Sequence, residues 1–164
     1  MNRNNPNLFH LILFFVPAFC FMGGRLYHDI VFDRGIGGHL KRAADANSIE
    51  LAQDELQLAV SEMEERHMTD GYTSLVYNTP DEDVGFWFKN TKTALDSIKA
   101  LPKTASETDK ETKLLKLRQT LVDHTQSGES VTCPDGISVY PNNMNWAIFA
   151  TLSSLLACAV FLMF

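Results

Sequence analysis

Few side chains in this sequence have the type and spacing that chemistry needs. Glu64-Glu65-Arg66-His67 contains one Glu-x-x-His. On a helix this spacing turns both side chains to one face, as in di-iron bundles, but those sites use the motif twice with two further glutamates. No second copy occurs here. Thr79-Pro80-Asp81-Glu82-Asp83 gathers acids within one turn, and Glu64, His67, Asp81 and Asp83 are the set that a metal-dependent enzyme would use. Calcium-loop spacing is missing around them. The same residues read better as a helix start. Thr79 is the cap, Pro80 takes the first helical position and Glu82 the capping-box position. Asp81 and Asp83 then sit at the positive end of the helix dipole. His28-Asp29 has no partner at matching spacing. Gly35, Gly37 and Gly38 are followed by no Gly-Lys-Ser/Thr, so they form no phosphate loop. Of the three cysteines, Cys20 and Cys158 lie in apolar runs and only Cys133 in the polar middle. That excludes a disulfide framework within the domain and offers no zinc spacing. Cys133 reads as an inert thiol, with an intermolecular bridge as the alternative. No catalytic residue, cofactor site or metal site is assigned.

The elements that must position these residues begin and end apolar. Met144–Phe164 has 21 residues and no charge. A helix of that length covers roughly 31 Å, close to the roughly 30 Å hydrocarbon core of a bilayer. It is expected to be a C-terminal transmembrane helix, with Trp146 at the interface. Leu8–Met22 is shorter. It reaches spanning length if the helix continues through Gly23 and Gly24 to Tyr27 with Arg25 snorkelling. Residues 1–27 are therefore expected to form an uncleaved signal anchor. A cleaved signal peptide is the alternative, with Val16-Pro17-Ala18 as its small-residue site. His10 is ionisable within this run, but it lies near the end, where an imidazole reaches the interface.

Between these runs, residues 28–143 form the expected soluble domain. All 20 acids and 13 of the 14 bases lie within residues 25–143, which carry a net charge of −7. That argues against nucleic acid as a partner and against attraction to anionic headgroups. The Gly-rich stretch from Arg25 to Gly38 is expected to let the chain turn away from the membrane. The apolar spacing predicts one long helix from His39 to about His67, with a stripe at Leu40, Ala43, Ala44, Leu51, Ala52, Leu56, Ala59, Val60 and Met63 that drifts round the axis. A second helix is expected from Pro80 to about Leu101, and a third from Ser106-x-x-Asp109 to about Thr125, closed by Gly128. Ser130–Cys133 and Ile137–Tyr140 flank Pro134-Asp135-Gly136 and predict a short β-hairpin near 130–140. Pro141-Asn142-Asn143 then leads into the last helix. The fold class expected is all-α: a small antiparallel bundle of three soluble helices with a β-hairpin, flanked by N- and C-terminal transmembrane helices. Residues 45–83 hold eleven acids and one base, residues 89–118 eight bases and four acids. Antiparallel packing of the first group on the second would be complementary.

Phe86-Trp87-Phe88 is the clearest pointer to binding. Three consecutive rings at about 100° each sweep roughly 200° of a helix, so one packed face cannot take all of them. At least one must meet a second element, the membrane interface or a partner. In the last segment Ala147, Ala150, Ser154 and Ala157 set small residues at helical spacing, and Ala150-xxx-Ser154 lets another helix approach closely. Phe86, Trp87, Phe88, Ala150 and Ser154 are the candidate partner-binding residues.

Read in order, TPDED, GFWFKN, LKLRQTLVDH and SVTCPDGISVYPNN resemble a group of small bacterial membrane proteins of unknown function. Their middle regions carry TPDED-x-GFW and LRxTLLD runs, then a Pro-Gly turn and PNN before an apolar tail. The resemblance covers most of residues 39–143. It implies bacterial origin and the same helical layout, and it implies no activity. Cys133 is not part of that pattern.

The function expected is that of a membrane-tethered helical interaction or assembly module rather than an enzyme, in the bacterial inner membrane. Its partners would be the lipid bilayer and another membrane protein or a second copy of itself. A ligand-sensing membrane protein acting through a partner, and a metal-dependent enzyme, are the alternatives. Arg3 favours a cytoplasmic N-terminus and hence an extracytoplasmic domain. Arg25, Arg34, Lys41 and Arg42 favour the reverse by the positive-inside bias, which weakens for long loops.

Overall fold

The structure, a computed structural model, describes residues 6–74, 78–125, 128–138, 148–149, 151–153, 155 and 159. Among these, five α-helices and a two-stranded ribbon follow in the order α1 (Pro6–Phe32), a π-helical turn (Asp33–Gly37), α2 (Gly38–Ala44), α3 (Ile49–Glu65), a 3-10 turn (Pro80–Glu82), α4 (Val84–Lys99), α5 (Glu107–Leu121), β1 (Val122–Thr125) and β2 (Gly128–Val131).

The first departure from expectation is at the glycines. Phe32 and Gly38, at the ends of the π turn, both have right-handed helical backbone angles. The chain therefore does not turn away between Arg25 and Gly38 but runs as helix from α1 into α2. Glycine is used here for close approach instead. A Cβ on Gly35 would run into the Glu62 carboxylate of α3, and one on Gly38 would lie 2.9 Å from the Asp33 carbonyl oxygen. The wider π turn makes room for this packing.

The long helix expected over 39–67 is two helices. α2 ends at Ala44 and Ser48 caps α3, its hydroxyl accepting from the Leu51 N–H at 3.2 Å. α2 and α3 form an antiparallel pair, with Gly35 against Glu62 and His39 against Glu55. The drifting stripe was two stripes read as one, and Leu51 is exposed rather than inward. The bundle thus has α2, α3, α4 and α5 where three helices were expected. α4 lies antiparallel to α3, with Lys92 on Glu64 at 2.6 Å and Lys99 on Gln57. Arg118 of α5 reaches Asp45 at 3.1 Å and Glu129 at 2.6 Å. The acidic and basic halves therefore meet, as their composition suggested.

Ile36, Leu40, Ala52, Leu56, Met63, Val84, Leu95, Ile98, Leu117 and Leu121 fill one core. α4 contributes Val84, Trp87, Leu95 and Ile98 to it, with Phe88 and, just past the helix, Leu101 half-buried against it. The acidic turn behaves as a cap. The Thr79 N–H and hydroxyl donate to Glu82 Oε2 at 3.1 and 2.9 Å. The helix does not start there, however: Asp83 is extended and caps α4 separately, accepting from the Phe86 N–H at 2.9 Å. Ser106 caps α5 by accepting from the Asp109 N–H at 3.2 Å.

The ribbon is displaced from its expected position. β1 pairs with β2 antiparallel, Val122 opposite Val131 and Thr125 opposite Gly128. α5 stops at Leu121, and Gly128, at φ 129°, opens a strand rather than closing a helix. Pro134-Asp135-Gly136 does turn, with the Ile137 N–H donating to the Pro134 carbonyl at 3.2 Å. Residues 139–147, which hold the second expected strand's end and the PNN cap, lie outside the described residues. Among the described residues no helix is long and apolar enough to cross a membrane. Most of Met144–Phe164, with Trp146, Ala150 and Ser154, lies outside them, as do the side chains of residues 6–14, including His10.

Candidate interaction surfaces

The three rings at the start of α4 go to three environments. Trp87 is buried, 6.4 Å from the Phe32 ring at the end of α1. Its indole N–H donates to the Thr132 carbonyl at 2.8 Å. Phe88 is half-buried against the core, with the Lys92 ammonium 5.4 Å from its ring centre. Phe86 is left out, 68% exposed. Trp87 and Phe88 are thereby accounted for by packing, and Phe86 alone of the three remains available to a partner.

A larger apolar surface lies on α1. Phe15, Phe19, Met22, Leu26 and Ile30 are each 44–69% exposed. At about 100° per residue they fall within about 80° of one another, along roughly 22 Å of helix. Tyr27 and Val16 widen the strip. The opposite side of α1 is engaged, Phe21 stacking on Phe149 of the C-terminal run at 6.5 Å and Phe32 meeting Trp87, while Asp29, at the edge of the strip, accepts from the Ser138 hydroxyl. An exposed apolar strip of this size along a helix is uncommon on a monomeric soluble protein. Sequence reading identified the apolar run but not which side of it is exposed, because that needs the positions of Phe21 and Phe32.

The polar candidates are dispersed. Glu64 is drawn to Lys92. His67 has already left α3, with a left-handed φ of 57°, so Glu-x-x-His no longer shares a helical face. Asp83 caps α4 and Asp81 lies exposed in the 3-10 turn. Asp29 serves Ser138, while His28 lies edge-on to Tyr27 at 5.7 Å. No group of three or more His, Cys, Asp or Glu side chains converges among the described residues.

One polar cluster was missed in the sequence. Glu55 of α3 receives His39 Nδ1 at 2.7 Å and Arg42 Nε at 2.9 Å from α2. Burial works to raise its carboxyl, but the hydrogen bonds and charges of His39 and Arg42 outweigh that and hold it below its ordinary value. Its signal was the i, i+3 pair His39/Arg42, hidden by treating residues 39–67 as one helix. Beside it Lys41, Arg42, Asp45, Leu51 and Glu55 line an open hollow of about 520 Å³. Burial pushes the Cys133 thiol up to about 11, with Asp135, Asp33 and Asp123 adding to the effect, which suits an inert thiol.

No protein-family model, no curated protein and no solved structure matches this chain.

Proposed function

We propose that this protein is a membrane-tethered helical interaction module. Leu8–Tyr27 and Met144–Phe164 hold it in the bacterial inner membrane, and its extracytoplasmic bundle docks on or helps assemble a larger membrane complex. The observation that carries this reading is the apolar strip of α1, Phe15 to Ile30, exposed while the opposite side of the same helix is packed. Apolar surface costs about 25 cal/mol per Å² to leave in water, so lipid or protein must cover it. The Phe21–Phe149 contact sets the C-terminal apolar run beside α1, as a two-segment tether requires. The resemblance of the TPDED, GFW and PNN runs to small bacterial membrane proteins points the same way. Phe86 is the docking residue on the bundle.

In cells expressing the full chain, the protein stays with membranes through an alkaline wash and is released only by detergent; release by the wash alone overturns the tether. A photo-crosslinking residue at position 86 yields adducts with another membrane protein or a second copy. A bundle that yields none overturns the docking role. A Cys133→Ser, Thr104→Cys chain places the one domain thiol at an exposed loop position, where an impermeant maleimide added to intact cells labels it if the domain is extracytoplasmic.

A further inference from the structure

We infer that residues 132–138 form a strap that opens as a unit, freeing the chain that leads to the C-terminal apolar run from α1 and α4 while the helices stay folded. The inference concerns the bundle itself and does not depend on the tether. Past Val131 the chain has neither helix nor strand as far as Ser138. It is held at three points on three elements. The Thr132 N–H donates to the Leu121 carbonyl at the end of α5 at 2.8 Å. The Thr132 carbonyl accepts from the Trp87 indole of α4 at 2.8 Å. The Ser138 hydroxyl donates to Asp29 of α1. Between these ties Ile137 is buried and Cys133 packs against the core, while Asp135 and Gly136 lie exposed. A segment held by so few bonds opens at lower cost than the fold as a whole.

One further group favours release. The Thr132 hydroxyl is buried and has no hydrogen-bond partner among the described residues. A buried polar group left unpaired costs free energy in the closed state only, because water satisfies it once the strap lifts. The closed strap is thus held by Trp87 and Asp29 against a hydroxyl that works to open it. α1 carries the C-terminal part of the chain at two heights, Ser138 at Asp29 and Phe149 on Phe21 at 6.5 Å. Lifting the strap removes the contact nearer the bundle. It also breaks the direct bond between this part of the chain and Trp87, the neighbour of Phe86 on α4.

Cys133 reports the opening. The test uses the full chain with Cys20→Ala and Cys158→Ala, so that Cys133 is the one remaining thiol. Its alkylation is followed in native buffer, beside thermal unfolding of the same variants. Ser138→Ala removes the α1 tie and should speed labelling roughly tenfold, as loss of one hydrogen bond to a carboxylate allows. Asp29→Asn, which keeps a neutral acceptor, should fall between it and the parent. Thr132→Val removes the unpaired hydroxyl and should slow labelling roughly fivefold, which a variant that merely damages the fold cannot do. Ile98→Val, in the core about three turns along α4 from Trp87, should lower the melting temperature and leave labelling unchanged. A Ser138→Ala chain labelled at the parent rate, or labelling that rises with Ile98→Val as global unfolding requires, overturns the strap. Thr132→Val labelled as fast as the parent, or faster, overturns the part assigned to its hydroxyl.

Discussion

Trp87 joins three parts of the molecule, packing on Phe32 of α1 from its place in α4 and donating to the Thr132 carbonyl beyond the ribbon. Its neighbour Phe86 touches little. The two should separate cleanly in urea unfolding. Trp87→Phe keeps a ring and loses the N–H bond, costing about 1 kcal/mol. Trp87→Ala should cost about 3–5 kcal/mol. Phe86→Ala should change stability by no more than about 0.5 kcal/mol, with its effect seen instead in photo-adduct yield. Cys133 allows a second test at this scale. With its thiol near 11, almost no thiolate exists at neutral pH. Alkylation of the folded chain should therefore be far slower than of the urea-unfolded chain, and should accelerate as pH rises toward 11. Equal rates at pH 7 would show that the site is open.

At the scale of elements, the run from the π turn into α2 depends on what its glycines lack. A Cβ on Gly38 meets main chain at 2.9 Å, which cannot swing aside, whereas one on Gly35 meets the end of the Glu62 side chain, which can. Gly38→Ala should therefore destabilise by about 1–3 kcal/mol and Gly35→Ala by clearly less, as read from thermal unfolding. The α2–α3 pair is held by Glu55 between His39 and Arg42. A carboxyl held below its ordinary value of 4.5 contributes stability that is complete above that value and lost as pH falls through the folded-state value. Glu55→Gln should be less stable than the parent at pH 7, and the difference should shrink as both are acidified below about 4.5. A constant difference across that range would remove Glu55 from the acid response.

These elements also show where sequence was readable. Thr79 with Glu82, and Ser106 with Asp109, announced themselves because a cap is a local device: its partners lie three residues apart. The break after Ala44 was as local, in Asp45-Ala46-Asn47-Ser48, but alanines and leucines on both sides kept the apolar period running across it. The ribbon was placed about eight residues late for a different reason. Leu121-Val122 fits a helical stripe and a strand equally well, and only the pairing of Val122 with Val131 decides. The aromatic argument at 86–88 was right that one face could not hold all three rings, while the choice of Phe86 as the one left out needed Phe32 and Thr132 in place.

For the whole molecule, the charge halves that composition set apart are brought together along α3, α4 and α5, at exposed pairs worth about 0–1 kcal/mol each. They set register among helices whose stability comes from the shared core. The largest exposed apolar feature is then the strip along α1, and the tether proposal answers what covers it. α1 also continues without a turn through the π segment into α2, so residues 6–44 form one shaft, roughly 55–60 Å long at about 1.5 Å per residue. A flexible linker would let the bundle wander independently of its anchor. Under the tether proposal, such a shaft makes the bundle an extension of its anchor. A twist of the shaft would turn the bundle with it, and the five-residue π segment is where that torque would be absorbed or passed on.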